Sequence, residues 1–194
     1  GTGSATFGNL NAGTYFIMAN FAGNDEFLND SANATVNVLK ADSTLNVSDV
    51  EFVWNAAGTV EASYTGATGL TANVVNQTAV VNVVNCTITI SGLNPGMYTL
   101  NVATVADNNH NPVTKTASIK VSKAASIVAV EVGSQFNVGD EITITVTNST
   151  ACTVTVNNKT YEVKDGKVVI DSVELGNGTY EVIASIAEDE YFTG

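Results

Sequence analysis

Several residue types that carry chemistry are scarce in this chain of 194 residues. It has no arginine, one histidine (His110), one tryptophan (Trp54) and two cysteines (Cys86 and Cys152). All seven basic residues are therefore lysines, against 19 acidic residues, and the formal net charge is -12. Nucleic-acid binding needs basic side chains clustered on one face, so this balance excludes it. An acidic, well-hydrated surface is typical of a protein outside the cell.

Long apolar runs are missing as well. No stretch approaches the ~20 residues that a membrane-spanning helix needs, and residues 1–4 have no signal-peptide pattern. We therefore expect any export signal or anchor to lie outside this segment. The two cysteines fall at different places in the repeat described below, which favours free thiols, buried or half-buried, over a disulfide.

What the sequence does contain is one short pattern written three times. Leu-x-x-Gly-x-Tyr occurs at residues 10–15, 93–98 and 175–180, with a period of about 83 residues, the size of a small β-sandwich. We predict an all-β fold of tandem immunoglobulin-like β-sandwich repeats. The first repeat (1–41) would hold only strands E, F and G, the middle repeat (42–124) would be complete, and the third repeat (125–194) would lack its last strand.

Alternating apolar residues predict where the strands lie. The strand after each pattern tyrosine has one apolar face, and strands at 35–40 and 118–123 close the first two repeats, each ending in Lys-Ala. Asp165-Gly166 predicts a two-residue type I′ turn. Since no Pro- or Gly-rich segment separates the repeats, we expect short, stiff linkers. Further strands are predicted at residues 44–47, 50–54, 59–64, 127–132, 141–147 and 152–156.

The tyrosine of the repeated pattern is similar to a tyrosine corner, in which the hydroxyl bonds back to the upstream backbone. Tyr15, Tyr98 and Tyr180 are therefore predicted structural residues. Trp54 continues the alternation of Val50 and Phe52, which favours a core position on an inner sheet face over carbohydrate stacking with Tyr64.

Acidic residues recur between the predicted strands F and G of each repeat. Calcium takes six to eight oxygen ligands, and these turns lack the Asp-x-Asp-x-Asp-Gly spacing, so solvated loops are favoured and no cofactor is predicted. Structural calcium between domains is the alternative. The candidate metal ligands are Asp25, Glu26, Asp107, Glu188, Asp189 and Glu190.

Catalytic arrangements are poorly supported. His110 lies in a polar loop, which favours an exposed histidine over a member of a Ser/His/Asp triad. Lys40 and Lys123 mark repeat ends, where side chains are usually wet, and this disfavours isopeptide cross-links to Asn or Asp. We therefore predict that the chain is not an enzyme.

Asn-x-Ser/Thr sequons are frequent and spread along the chain. In a secreted protein such sequons are acceptors for N-glycosylation and mark surface positions. The candidate asparagines are Asn29, Asn33, Asn46, Asn76, Asn85, Asn148, Asn158 and Asn177.

The whole chain resembles the bacterial-type immunoglobulin-like repeats of large surface proteins, most closely the adhesin-like proteins of methanogenic archaea. Residues 10–15 with Asn-Asp-Glu-Phe at 24–27, and residues 175–180 with Glu-Asp-Glu-Tyr at 188–191, carry the resemblance, while the middle repeat departs from it at 107–112. The resemblance implies an extracellular, cell-surface stalk or filament module whose partners are neighbouring repeats, of the same or an identical chain, and possible cell-surface glycans or proteins.

Two alternative functions stay open. One is a fibre subunit completed by strand donation between chains, and the other is a glycan-binding module using the F–G loops.

Overall fold

The computed structural model describes residues 2–148 and 150–194, and this part of the chain is nearly all β. Gly1, where the predicted first repeat begins, and Ser149, the middle residue of the sequon at Asn148, lie outside the described residues. The strands run in the following order: β1 (Gly13–Phe21), β2 (Asp30–Val38), β3 (Ala41–Asp42), β4 (Thr44–Val47), β5 (Val50–Val53), β6 (Gly58–Thr65), β7 (Leu70–Val74), β8 (Val80–Val84), β9 (Thr87–Ser91), β10 (Gly96–Thr104), β11 (His110–Asn111), β12 (Thr114–Ser122), β13 (Val128–Glu131), β14 (Glu141–Asn148), β15 (Cys152–Val156), β16 (Lys159–Glu162), β17 (Lys167–Asp171) and β18 (Val182–Ile186).

The longer strands pair into several separate sheets. Strands β1 and β2 form an antiparallel hairpin, in which Gly13 lies opposite Val38. Two four-stranded sheets have the orders β4-β6-β9-β8 and β5-β12-β10-β7, and two three-stranded sheets have the orders β13-β14-β17 and β16-β15-β18. The prediction of an all-β sandwich class is confirmed.

The chain divides into two compact units. The first takes in the chain up to Val50, Ala57–Gly92 and Met97–Ile119. Its strands β4, β6, β9, β10 and β12 alternate apolar with polar residues and bury side chains on one face. In the hairpin β1-β2 nearly every side chain is exposed. The buried apolar side chains of this unit are Leu45, Val50, Val60, Ala62, Val74, Ile88, Ile90, Leu100, Val102, Ala117 and Ile119.

The second unit comprises Glu51–Ala56, Leu93–Gly96 and Lys120–Gly194. Its core cluster consists of Ile142, Ile144, Val146, Cys152, Val154, Val156, Val168 and Ile170. The single helix that the described residues form, α1 (Ser172–Leu175), is capped by the Asp171 carboxylate, which accepts the N–H of Val173. Among the residues that the structure describes, there is no helix that could span a bilayer.

Several local predictions agree with the structure. The predicted strands at 44–47 and 152–156 coincide with β4 and β15. Asp165 and Gly166 have φ values of 51° and 72°, and Lys164 and Lys167 exchange two backbone hydrogen bonds of 3.0 Å, as a two-residue turn requires. The repeat boundaries at 41/42 and 124/125 stay predictions, and the repeat names are kept below as labels.

Candidate functional site

Three loops of equal construction follow the strands that begin near the pattern tyrosines. They are called L1 (residues 24–27, after β1), L2 (107–110, after β10) and L3 (189–192, after β18). In L1 the side-chain oxygen of Asn24 accepts the N–H groups of Glu26 and Phe27 at 2.9 and 2.8 Å. The first residue of each loop therefore folds the loop around its own side chain, as in an Asx turn.

L2 and L3 repeat this arrangement with aspartate in place of asparagine. Asp107 Oδ1 accepts the N–H groups of Asn109 and His110, both at 2.7 Å. Asp189 Oδ1 accepts those of Tyr191 and Phe192 at 2.8 and 2.7 Å. The middle repeat therefore keeps the loop geometry, although its sequence departs from the acidic-aromatic pattern.

L2 binds the segment that joins the first repeat to the middle repeat, residues 40–43, called the first linker. The Ala41 N–H donates to the Asn109 carbonyl at 2.8 Å, and β3 pairs in parallel with β11, placing Ala41 opposite His110. Lys40 Nζ donates to the Asp107 carbonyl at 2.8 Å. The linker is thus held at its backbone and at its lysine.

L2 also touches the corner of the first repeat. The Asn109 side chain accepts the Ala12 N–H at 2.9 Å and donates to the Asn11 side chain at 3.0 Å. Tyr15 in turn donates its hydroxyl to the Asn11 carbonyl at 2.8 Å. A chain of polar contacts therefore connects the first tyrosine corner to L2.

L3 binds the next linker, residues 123–126, called the second linker, in the same way. The Ala124 N–H donates to the Tyr191 carbonyl at 2.9 Å, and Ala124 forms a parallel bridge with Phe192. Lys123 Nζ donates to the Asp189 carbonyl and lies 2.6 Å from Glu188 Oε1. The lysine, the alanine and the loop carbonyls play equivalent parts in the two linkers.

Trp54 belongs to this second contact, and the prediction of a core position for it is wrong. It follows β5, it is only half-buried, and its ring lies 4.7 Å from that of Tyr191 and 5.4 Å, edge-on, from that of Phe192. Its alternation with Val50 and Phe52 fits an inner face, and its N–H still donates to the Ser122 carbonyl of β12 at 2.7 Å. Its ring nevertheless contacts L3 at the end of the sheet and is not enclosed in the core.

Of the six acidic residues considered as metal ligands, three bond to groups in or beside the loops. Asp107 and Asp189 accept backbone N–H groups, Glu188 pairs with Lys123, and Asp25, Glu26 and Glu190 are exposed. Within the described ranges no cluster of three or more His, Cys, Asp or Glu side chains could hold a metal ion.

Hydrogen bonding stabilises both loop carboxylates in their charged form. The His110 side chain, and after it the Asn109 N–H, hold the pKa of Asp107 below its usual value. The Thr150 hydroxyl, at 2.6 Å from Asp189 Oδ2, and then the N–H groups of Phe192 and Tyr191 lower the pKa of Asp189.

His110 is a half-buried loop residue rather than a fully exposed one. Its Nδ1 lies 3.0 Å from both carboxylate oxygens of Asp107. Its ring packs on Gly66, where an added Cβ would come within 2.7 Å of Cδ2. The histidine thus stabilises L2 through Asp107.

At two of the three pattern tyrosines the hydroxyl bonds to an upstream carbonyl, as a tyrosine corner requires. Tyr15 donates to the Asn11 carbonyl, and Tyr180 donates to the Leu175 carbonyl. Tyr98 is half-buried at the start of its strand and also has an interaction partner. The role of all three as structural residues stays a prediction.

Both cysteines are free, as predicted: Cys86 is half-buried and Cys152 is buried. Burial raises the pKa of the Cys152 thiol, and this makes it a poor nucleophile. Neither lysine named for isopeptide chemistry is enclosed, since the Lys123 side chain is 31% exposed and Lys40 is exposed.

The second unit contains a cavity of about 730 Å³. It is lined by residues 132–138, by the corner at 175–180 and by core side chains such as Ile142 and Ile170. Strand β18 pairs with β15 and forms the edge of its sheet. The cavity therefore opens onto the hydrophobic core beside an edge strand.

No protein-family model and no curated protein matches the chain. Among solved structures it is similar to SGBP-B of the Bacteroides ovatus mixed-linkage glucan utilization locus, in complex with a mixed-linkage heptasaccharide. The identity is 16%, the TM-score is 0.24, and the match covers 92% of this chain and 48% of that chain. This chain thus spans about half the length of that protein.

The linker contacts are the feature of this site that local sequence patterns did not predict. Lys-Ala was recognised only as a repeat ending, and the acidic turns only as solvated loops or cation sites. The sequence did contain a pattern that could have indicated these contacts. The Lys-Ala endings and the acidic turns recur with the same period, and Asx residues favour turns of this kind. Local patterns do not predict that each Lys-Ala segment contacts a loop about 67 residues further along the chain.

Proposed function

We propose that this chain is part of the stalk of an extracellular, adhesin-like surface protein, with no enzymatic activity. The observation that carries the proposal is the equivalent binding of two successive linkers by L2 and L3. Each linker is joined to its loop through a lysine and an alanine N–H.

A linker held in this way differs from a flexible tether. A free chain of a few residues allows neighbouring domains to swing, whereas backbone pairing restricts its dihedral angles. The repeated use of one connection also allows more repeats to be added without a new interface. Length and resistance to bending are what a stalk requires, and adhesion would then lie elsewhere on the full protein.

The acidic surface supports an extracellular setting, because a net charge of -12 with dispersed lysines disfavours non-specific association. Glycan binding stays the alternative for the loops. Strand donation between chains stays the alternative for the third repeat, where the cavity and the edge strand β18 favour it.

The proposal is tested by light scattering combined with small-angle X-ray scattering at several concentrations. We expect a monomer whose maximum dimension is large and independent of concentration. A double variant, Ala41→Pro with Ala124→Pro, removes the two linker N–H donors and should broaden the distribution of dimensions. The matched Ala41→Ser and Ala124→Ser variant keeps both donors and should scatter like the parent.

Each other outcome contradicts the proposal in a distinct way. A compact particle would exclude a stalk. Growth into fibres with concentration would favour strand donation. Identical scattering of the proline and serine variants would mean that the linker contacts do not restrict bending.

A further inference from the structure

Two of the eight sequons occupy the same turn in consecutive repeats. In the first unit β7 pairs with β10, and Val74 lies opposite Leu100. In the second unit β15 pairs with β18, and Val156 lies opposite Val182. Asn76 and Asn158 each come two residues after these buried valines, so the paired strands place them at equivalent positions.

Both asparagines are exposed and have left-handed backbone conformations, with φ of 56° at Asn76 and 58° at Asn158. Asparagine tolerates this region better than most residues, so the turn alone explains the asparagines. It does not explain a threonine two residues later in both turns. After Asn158 the chain forms β16 beside β15, whereas after Asn76 it continues to β8 in the other sheet. The Asn-x-Thr sequence is therefore the same in both repeats, although the chain that follows it enters a different sheet in each.

We propose that Asn76 and Asn158 are N-glycosylation sites, giving one glycan at the same turn of each of these repeats. The inference rests on the extracellular location in the proposed function. Hydrated glycans at regular intervals would add bulk and solubility to the stalk.

The modification is a group transfer from a lipid-linked oligosaccharide. The side-chain amide nitrogen of asparagine attacks the anomeric carbon of the first sugar, a C–N bond forms, and the C–O bond to the lipid pyrophosphate breaks. The amide nitrogen gives up one proton and the lipid pyrophosphate is the leaving group. The folded acceptor must therefore present the amide and its flanking backbone to the transferring enzyme.

Three of the other sequons present these groups less well, whereas Asn85, exposed with φ of 56°, shares the left-handed turn conformation without the equivalent position in a second repeat. Asn33, Asn46 and Asn148 lie within β2, β4 and β14, where they pair with Met18, Ser63 and Val128. The Asn148 amide also donates to the Thr150 carbonyl. Modification of these three in the folded chain requires local opening of a sheet, which costs free energy.

The test uses the folded full chain, a purified oligosaccharyltransferase and a lipid-linked oligosaccharide, with short peptides spanning each sequon in the same tube. Mass spectrometry follows the occupancy of each site relative to its own peptide. We expect Asn76 and Asn158 to react within a few-fold of their peptides, and Asn46 and Asn148 about 10-fold or more slowly, as local opening predicts.

Three variants sharpen the result. Thr78→Ala and Thr160→Ala should each abolish modification of their own site without changing the asparagine in the turn. Asn157→Gln alters the neighbouring left-handed asparagine, which is not in a sequon, and should leave the occupancy of Asn158 unchanged. Rates at Asn76 and Asn158 no higher than those at Asn46 and Asn148 would overturn the proposal. This assay is independent of particle shape, so it can fail while the stalk proposal stands, and the reverse.

Discussion

The two linkers share a backbone arrangement but differ in the side chains that surround it. The first linker lies among polar groups, with Asn109 bonded to the corner of the first repeat and His110 bonded to Asp107. The second lies beside an aromatic cluster of Trp54, Tyr191 and Phe192. Because the lysine and the alanine keep their bonds in both settings, the backbone pairing defines the connection, and the surrounding side chains set its strength.

The largest difference in stability between the two linkers should come from the aromatic cluster. Trp54→Ala removes a ring contact and buried area, and we expect the free energy of unfolding of the second unit to fall by about 1–3 kcal/mol. Hydrogen exchange at the Ala124 and Thr193 amides should accelerate, while exchange at the Ala41 amide in the first linker should not. Phe16→Ala, at a ring that is 64% exposed, is the control for a surface aromatic. Unchanged exchange at Ala124 in Trp54→Ala would show that the cluster does not support the second linker.

A smaller difference should come from the shared lysines. Lys123 contacts the Glu188 carboxylate as well as a carbonyl, whereas Lys40 has the equivalent carbonyl. Since such partly exposed ion pairs contribute little, we expect Lys123→Met to cost about 0.5 kcal/mol and Lys40→Met less. Denaturant unfolding at low and high salt measures both, and only the cost at Lys123 should shrink with salt. If the two variants lose the same free energy of unfolding at low and at high salt, the Glu188 carboxylate does not stabilise the second linker.

The sequence predicted the strands well wherever burial on one face imposes alternation. Strands β10 and β18, which begin close to Tyr98 and Tyr180, turn alternate side chains inward as expected, and the Asp165-Gly166 turn follows from local backbone preference. These features depend on neighbours in the sequence, so local patterns suffice for them.

The linker contacts join residues far apart in the chain, so local sequence patterns do not predict them. Trp54 contacts Tyr191 and Phe192, which are more than 130 residues away, and its local alternation suggested a core position instead. The composition of L2 and L3 makes their aspartates candidate cation ligands, because composition does not reveal that backbone N–H groups of the same loops occupy the carboxylate oxygens.

The smallest effect should be the acid dependence of L2 and L3, for which L1 provides the natural control. The folded-state pKa values of Asp107 and Asp189 are lowered, so each charged carboxylate stabilises its loop above the unfolded-state pKa of about 4, and this stabilisation is lost as the pH falls through the folded-state value. L1 makes the same turn with Asn24, which does not titrate. Asp189→Asn should therefore keep the Tyr191 and Phe192 amide resonances close to their positions at neutral pH while removing their shift between about pH 5 and 2. Asp107→Asn should do the same at Asn109 and His110. If the amide resonances of L3 titrate equally in Asp189→Asn and the parent chain, another acidic group controls the loop, and the equivalence of the three loops is broken.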